Sequence, residues 1–338
     1  MIKVIAQEFI LHENLNGLNC HASHCLPLPD ESVYSVWFEG TKEGENDVCI
    51  WGARRHPDGN WSIKQRITEE DNLPHWNPVL FQLDQKTVIL FYKKGAPISQ
   101  WYTMYQISTD NCKTWSQASE LVPGDRGGRG PVRNKVIRLS NQWLAAPASL
   151  ESHLWTMFAD ISRDNAKTWE KSNEVQNFYE GDTPRTWWDK KLERSFLRKK
   201  RGVIQPAFWE SDPGQLHALM RSSEGRIYYS SSSDYGQHWT KPQKTVLANN
   251  NSGIDAVRTE DGRVFLVYNP VQKNWGKRYP ISLAMSTNNG DTWNKVMDLQ
   301  KGAGKDEFSY PCIQSYNNRL YITYTYNRIN IAFWILEL

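Results

Sequence analysis

Short runs of β-branched and aromatic residues recur along this chain. Val33-Tyr-Ser-Val-Trp-Phe38, Thr87-Val-Ile-Leu-Phe-Tyr92, Leu216-His-Ala-Leu-Met220, Val264-Phe-Leu-Val-Tyr268 and Leu320-Tyr-Ile-Thr-Tyr-Thr325 are all five or six residues long. Gly, Asn or Asp bounds most of them, the pattern of short strands separated by turns. A 3.6-residue period is suggested only at Asp189 to Arg201. The pattern predicts a nearly all-β protein.

Between these runs one octapeptide returns, Ser-x-Asp/Asn-x-x-x-x-Trp. It occupies Ser108 to Trp115, Ser162 to Trp169, Ser232 to Trp239 and Ser286 to Trp293, and Arg54 to Trp61 keeps the turn residues and the tryptophan. Measured between tryptophans, three intervals are 54 residues and the one from Trp169 to Trp239 is 70. A period near 50 with strand-like content reads as a β-propeller with one four-stranded antiparallel blade per unit. Six such units and the 16-residue excess come within two residues of the 338 in the chain. The expectation is one six-bladed domain over residues 1–338, with an extra loop at about 171–202. Each octapeptide is a hairpin turn whose Asp or Asn bonds back to the backbone. Cys112 and Ala166 stand where glycine is easiest, so those two turns are expected to be strained. The run up to Leu11 is expected to complete the last blade beside Ile329 to Leu338, removing an exposed edge.

Composition narrows the class. Hydrophobic residues make up 39% and the net charge is +3, which excludes disorder and gives no argument for nucleic acid. No apolar stretch approaches the roughly 20 residues of a membrane span. The cationic run from Lys190 to Arg201 reads as a solvated loop face. Five cysteines without metal-like spacing argue against a disulfide framework. The N-terminus lacks the pattern of a signal peptide, so a cytoplasmic protein is expected, or a secreted or periplasmic one whose leader has been removed. No metal or cofactor motif is visible, and none is expected.

In a propeller, chemistry gathers where the innermost strands open onto the central channel. Here those openings are Cys20 to His24, Pro74 to Pro78, Arg129 to Asn134, Val203 to Pro206, Asn250 to Asp255 and Glu307 to Pro311. Converging on an axis, His21, Asn77, Arg133, Gln205, Asp255 and Tyr310 make a polar, charged cup. The alternative is that they bond one another to fill the hub. Arg54, Lys93, Trp101, Arg129, Asn251 and Arg328 are expected along the same mouth, with Trp101 able to stack on a sugar or to pack between blades.

The octapeptides at blade spacing resemble the Asp boxes of the sialidase (neuraminidase) superfamily. The phrases from Arg129 to Lys135, Gly202 to Pro206, Asn251 to Asp255, Phe308 to Pro311 and Tyr324 to Arg328 resemble its BNR-repeat, sialidase-like branch. The resemblance implies three arginines on a substrate carboxylate, a Tyr nucleophile assisted by a Glu, and an Asp acid/base. Arg221 and Arg278 resemble the second and third of those arginines. Two guanidinium forks on one carboxylate give bidentate, charge-assisted bonds. Where the first arginine belongs the chain has His21 and His24, whose three-residue offset places them on opposite strand faces; His21 is favoured. The register of the nucleophile reads Phe308, with Tyr310 two residues on and on the same face. Neither Asp47 nor Asp58 matches the acid/base, and Glu210 or Glu151 could stand in for the Glu.

Three functions stay open. One is a sialidase-like exo-glycosidase acting on a terminal acidic sugar of a glycan. Another is a His/Arg-dependent lyase or glycosidase on uronate-containing polysaccharide, where arginine neutralises the carboxylate and His or Tyr moves the proton. The last is a non-catalytic carbohydrate-binding propeller. In each the partner is an acidic oligosaccharide.

Overall fold

The computed structural model describes residues 2–12, 17–152, 154–177 and 201–338. The helical hint at Asp189 to Arg201 and most of the proposed extra loop lie outside these. The described residues are built from β-strands and one three-residue 3-10 turn, Ile98–Gln100. No helix among them is long and apolar enough to cross a membrane.

The strands form antiparallel arrays of four, and the first five arrays are meanders in chain order. The first holds Asn19–Pro27, Val33–Gly40, Cys49–Arg55 and Gln65–Arg66, and the second His75–Gln82, Val88–Lys94, Tyr102–Ser108 and Ser119–Glu120. In the third, Ile137–Arg138, Leu144–Glu151, Leu154–Ser162 and Glu170–Lys171 pair. The fourth holds Arg201–Asp212, Gln215–Ser222, Arg226–Ser232 and Gln243–Ala248. A short parallel pairing of Leu154 with Arg201 and Trp155 with Gly202 fuses the third and fourth into one eight-stranded sheet. Asp255–Arg258, Val264–Tyr268, Ile281–Ser286 and Asn294–Gln300 make the fifth. Phe308–Tyr316, Arg319–Tyr326 and Asn330–Glu337 make the sixth with Lys3–Phe9, which pairs antiparallel to Asn330–Glu337. Every run expected to be a strand lies in one. The exceptions are two site openings: residues 129–134 precede the short strand Ile137–Arg138, and 250–254 precede Asp255–Arg258.

The octapeptides are hairpin turns held as expected. In the second array, Asp110 Oδ1 accepts the N–H groups of Lys113 (3.0 Å) and Thr114 (2.9 Å), and Ser108 Oγ accepts that of Cys112 (2.8 Å). Cys112 and Ala166 sit at φ 63° and 68°, in the left-handed region that a side chain makes costly. The tryptophans join arrays: Trp61 meets Phe333 edge-on, and Trp169 meets Phe91. Seven apolar clusters run between the arrays rather than in one central mass. All five cysteines are buried and unbridged.

First strands of different arrays meet one another. Asn19–Pro27 contacts His75–Gln82, Arg201–Asp212 contacts Asp255–Arg258, and Phe308–Tyr316 contacts both Asp255–Arg258 and Asn19–Pro27. Chain positions 300 residues apart thus become neighbours.

Candidate active site

Four first strands carry the same backbone device. Ala22, Asn77, Gln205 and Tyr310 sit at φ 53°, 44°, 53° and 53°. Each falls at a register break between first and second strands, at His21/His24, Trp76/Val79, Ile204/Ala207 and Ser309/Cys312. A bulge re-aims the side chains beside it. Proline follows three of the four residues, at positions 78, 206 and 311, and its missing N–H suits an unpaired position.

The bulges correct two expectations. His21 and His24 pair with Phe38 and Val36, two residues apart and on one face, so the extra residue cancels the alternation. It is His21 that meets the tyrosine, while His24 Nδ1 accepts the Leu80 N–H at 3.4 Å. Phe308 and Tyr310 do not share a face either. Phe308 packs in the core against Tyr324 and Tyr326, and the bulge turns Tyr310 towards the arginines.

Tyr310 is the centre of the site. The guanidinium carbons of Arg133, Arg221 and Arg278 stand 5.5, 5.6 and 5.6 Å from its ring centroid. The His21 ring is 4.2 Å away, tilted by 49°. Arg221 Nη1 donates to Tyr310 Oη (2.8 Å) and Gln205 Oε1 (3.2 Å). Its Nε donates to Asn251 Oδ1 (2.9 Å), and its Nη2 to the Asn251 carbonyl. Gln205 Nε2 in turn donates to Glu151 Oε1 (2.9 Å). Arg278 Nη1 donates to Glu307 Oε1 (2.6 Å), which also accepts from Arg328 Nε (2.9 Å), and Arg328 Nη1 reaches Glu43. Arg133 Nη2 donates to the Pro311 carbonyl (2.6 Å), but its Nε and Nη1 are buried without a partner.

The field of these arginines decides protonation. Burial, then the charges of Arg328, Arg278, Arg133 and Arg221, push the His21 pKa well below its usual range, so the imidazole is neutral at pH 7. Its Nδ1 pairs with Thr325 Oγ1 (2.9 Å), and its Nε2 is buried without a partner. Burial alone raises Glu307, but the charges of Arg278 and Arg328 outweigh it and hold the carboxylate below its ordinary value.

Several expected residues are engaged elsewhere. Asp255 is buried and ion-paired to Lys135 (2.7 Å). Lys93 is buried, its Nζ donating to the carbonyls of Gly128 (3.0 Å) and Arg129 (2.7 Å); burial lowers it to about 7 against the pull of Asp160, Asp125 and Glu151. Arg129 pairs with Asp160 (2.7 Å). Arg54 donates to Ser32 Oγ (2.6 Å) and the Asn111 carbonyl, far along the second array's turn. Asn77 is buried at its bulge, and Trp101 packs against Trp76. Asp47 accepts from Thr41 and Asp58 from Asn60, both as turn residues. Glu210 holds Ser140 and Gly214, whereas Glu151 reaches the site through Gln205. Sequence reasoning missed Glu307, Glu43 and Thr325. Glu307 opens the phrase that contains Tyr310, and that adjacency was the available signal. Among the described residues no group of three His, Cys, Asp or Glu is placed to hold a metal.

An all-β protein of Asp-box arrays with an arginine-rich centre is thereby defined. The chain belongs to the BNR repeat-like domain family, whose model matches residues 31–322. No curated relative matches it. Among solved structures, a protein of unknown function from Dyadobacter fermentans superposes with TM-score 0.75 at 16% identity, covering 100% of this chain and 99% of that one. NanB sialidase from Streptococcus pneumoniae gives 0.72 at 12% identity, covering 98% of this chain and 70% of that one. Trypanosoma rangeli sialidase, in complex with the inhibitor DANA, gives 0.69 at 12% identity, covering 94% and 55%. This chain therefore spans little more than half of the trypanosomal protein. At these identities the likeness is one of fold.

Proposed function

We propose that the six arrays close into a single six-bladed propeller domain, and that its mouth cleaves a terminal acidic sugar from a glycan. The observation that carries this reading is the gathering of Arg133, Arg221 and Arg278 around Tyr310. Arg133 and Arg221 have no carboxylate among their hydrogen bonds. Such a cationic surplus at a partly buried centre suits a substrate carboxylate. With that carboxylate on the arginines, Tyr310 Oη attacks the anomeric carbon as the bond to the leaving oxygen breaks. His21 takes the phenol proton and passes it to the leaving oxygen, and water then displaces Tyr310 from the anomeric carbon, its proton restoring the phenol.

The test is release of fluorophore from a fluorogenic sialoside by the full chain. Arg221→Ala and Arg278→Ala are each expected to slow release by about 10²–10³-fold while the far-ultraviolet spectrum stays unchanged. Full activity in both variants would overturn the placement of the site.

A second reading is favoured by His21, a neutral imidazole with a partnerless Nε2 beside arginines. On a uronate, arginine neutralises the carboxylate, His21 removes the acidified adjacent proton, and the bond to the neighbouring glycosidic oxygen breaks to leave an unsaturated sugar. Ultraviolet absorbance of that product separates elimination from hydrolysis.

A further inference from the structure

A groove separates the first and second arrays, walled by the short strand Gln65–Arg66 and the turn residues 113–118. Its volume is about 490 Å³, within the range of small-molecule sites. The groove exists because the fourth strands there, Gln65–Arg66 and Ser119–Glu120, are only two residues long, against six or seven in the fourth, fifth and sixth arrays. Gly52 lies behind two of the lining residues, Tyr34 and Ile67. A Cβ there would stand 2.7 Å from the Tyr34 hydroxyl and 2.9 Å from Ile67, so only glycine lets those side chains close in.

The lining is neither apolar nor strongly charged. Amides and hydroxyls of Gln65, Thr68, Gln106 and Gln117 alternate with the rings of Tyr34 and Trp115. Most of the ions along it are already matched, Lys94 to Asp71 and Arg66 to Glu69 and Glu70, with Lys113 at the exposed turn. One lining residue, Gln106, is more than nine-tenths buried and keeps its Oε1 without a hydrogen bond. An unpaired buried polar atom is costly, and one at the wall of a groove marks a place where a polar ligand repays that cost.

We propose that this groove is a second carbohydrate-binding site, selective for a neutral pyranose residue and independent of the arginine centre. Neutral hydroxyls pair with amide and hydroxyl groups without bringing a charge that the matched ions cannot balance, and sugar C–H faces lie against aromatic rings. The proposal does not rest on glycoside cleavage at Tyr310.

The experiment is saturation-transfer NMR on the full chain with methyl glycosides of galactose, glucose, mannose and N-acetylglucosamine, followed by titration of any binder. At least one is expected to bind. Ala118→Trp, which fills the groove from an exposed position, is expected to weaken that binding at least about tenfold, and Gln106→Leu to weaken it too. Arg221→Ala is expected to leave it unchanged. Absence of transfer to all four glycosides overturns the proposal, and so does binding lost in Arg221→Ala but kept in Ala118→Trp.

Discussion

Two charged clusters lie close to the first strands, and the protein treats them in opposite ways. At the hub, Lys135 Nζ donates to both Asp255 oxygens (2.7 Å each) and to the Ala256 carbonyl (2.8 Å). Asp255 also accepts the N–H groups of Ala256 and Ile313 (2.9 Å each), so its lone pairs and the ammonium protons are spoken for. Around Tyr310, four arginines share two carboxylates, and Arg133 keeps two buried nitrogens without a partner. A closed pair like the first ties two first strands to the loop ahead of Ile137–Arg138. An open surplus like the second stabilises nothing by itself and is expected only where a ligand completes it.

The largest effect should come from opening the closed cluster. Asp255→Ala leaves a buried ammonium unpaired and is expected to destabilise the fold by about 3–5 kcal/mol, read as a lowered urea midpoint. Replacing both partners, Lys135→Met with Asp255→Leu, is expected to cost much less. If the single and double variants are equally unstable, the hub is not a balanced pair.

The arginine centre should respond in the other currency. Arg278→Ala removes a partly exposed guanidinium from Glu307 and is expected to lower kcat/KM by about 10²–10³-fold, or roughly 3–4 kcal/mol of transition-state stabilisation. The urea midpoint should hardly move. A large loss of stability with unchanged kcat/KM would make this cluster a second hub.

That contrast was only half legible in the sequence. Equal tryptophan intervals and short β-branched and aromatic runs gave the arrays, because turn chemistry and strand propensity are local. Overlaying the repeats also brought Tyr310, Gln205 and Asn251 to one place, while the resemblance to sialidases supplied Arg221 and Arg278. What failed was orientation. Counting residues assumes an unbroken pleat, and the bulges at Ala22 and Tyr310 insert one residue each, reversing the faces assigned to His24 and Phe308. Nor could spacing tell Asp255 from Glu307, since the cation that neutralises Asp255, Lys135, lies 120 residues away. The repeated Pro78, Pro206 and Pro311 were the readable trace of the bulges.

His75 offers a titration of the same contrast. It is a buried imidazole at a strand opening, close to Asp71 and Lys94. Burial, only partly opposed by Asp71, lowers it to about 4 from 6.5. The unfolded chain therefore takes up the proton first as the pH falls. Stability is expected to be level above about 6.5 and to decline between about 6.5 and 4, by at most about 3 kcal/mol. Urea midpoints across that interval measure it, and His75→Gln should flatten the slope. An unchanged slope would assign the acid sensitivity to other groups, His21 first.

The smallest effect belongs to the feature most visible in the sequence. Asp164 accepts the N–H groups of Lys167 (3.1 Å) and Thr168 (2.9 Å) and the hydroxyls of Ser162 (2.9 Å) and Thr168 (2.6 Å). The hydrogen bonds from Thr168 hold it at about 2. It is a solvent-facing turn, so water replaces most of what the carboxylate supplies. Asp164→Ala is expected to lower Tm by only about 1–3 °C, and Asp110→Ala, far away in the second array, to add to it almost independently. Differential scanning fluorimetry of the two single variants and the double decides this. A loss as large as that from Asp255→Ala would mean that the repeated turns, and not the hub, hold the arrays together.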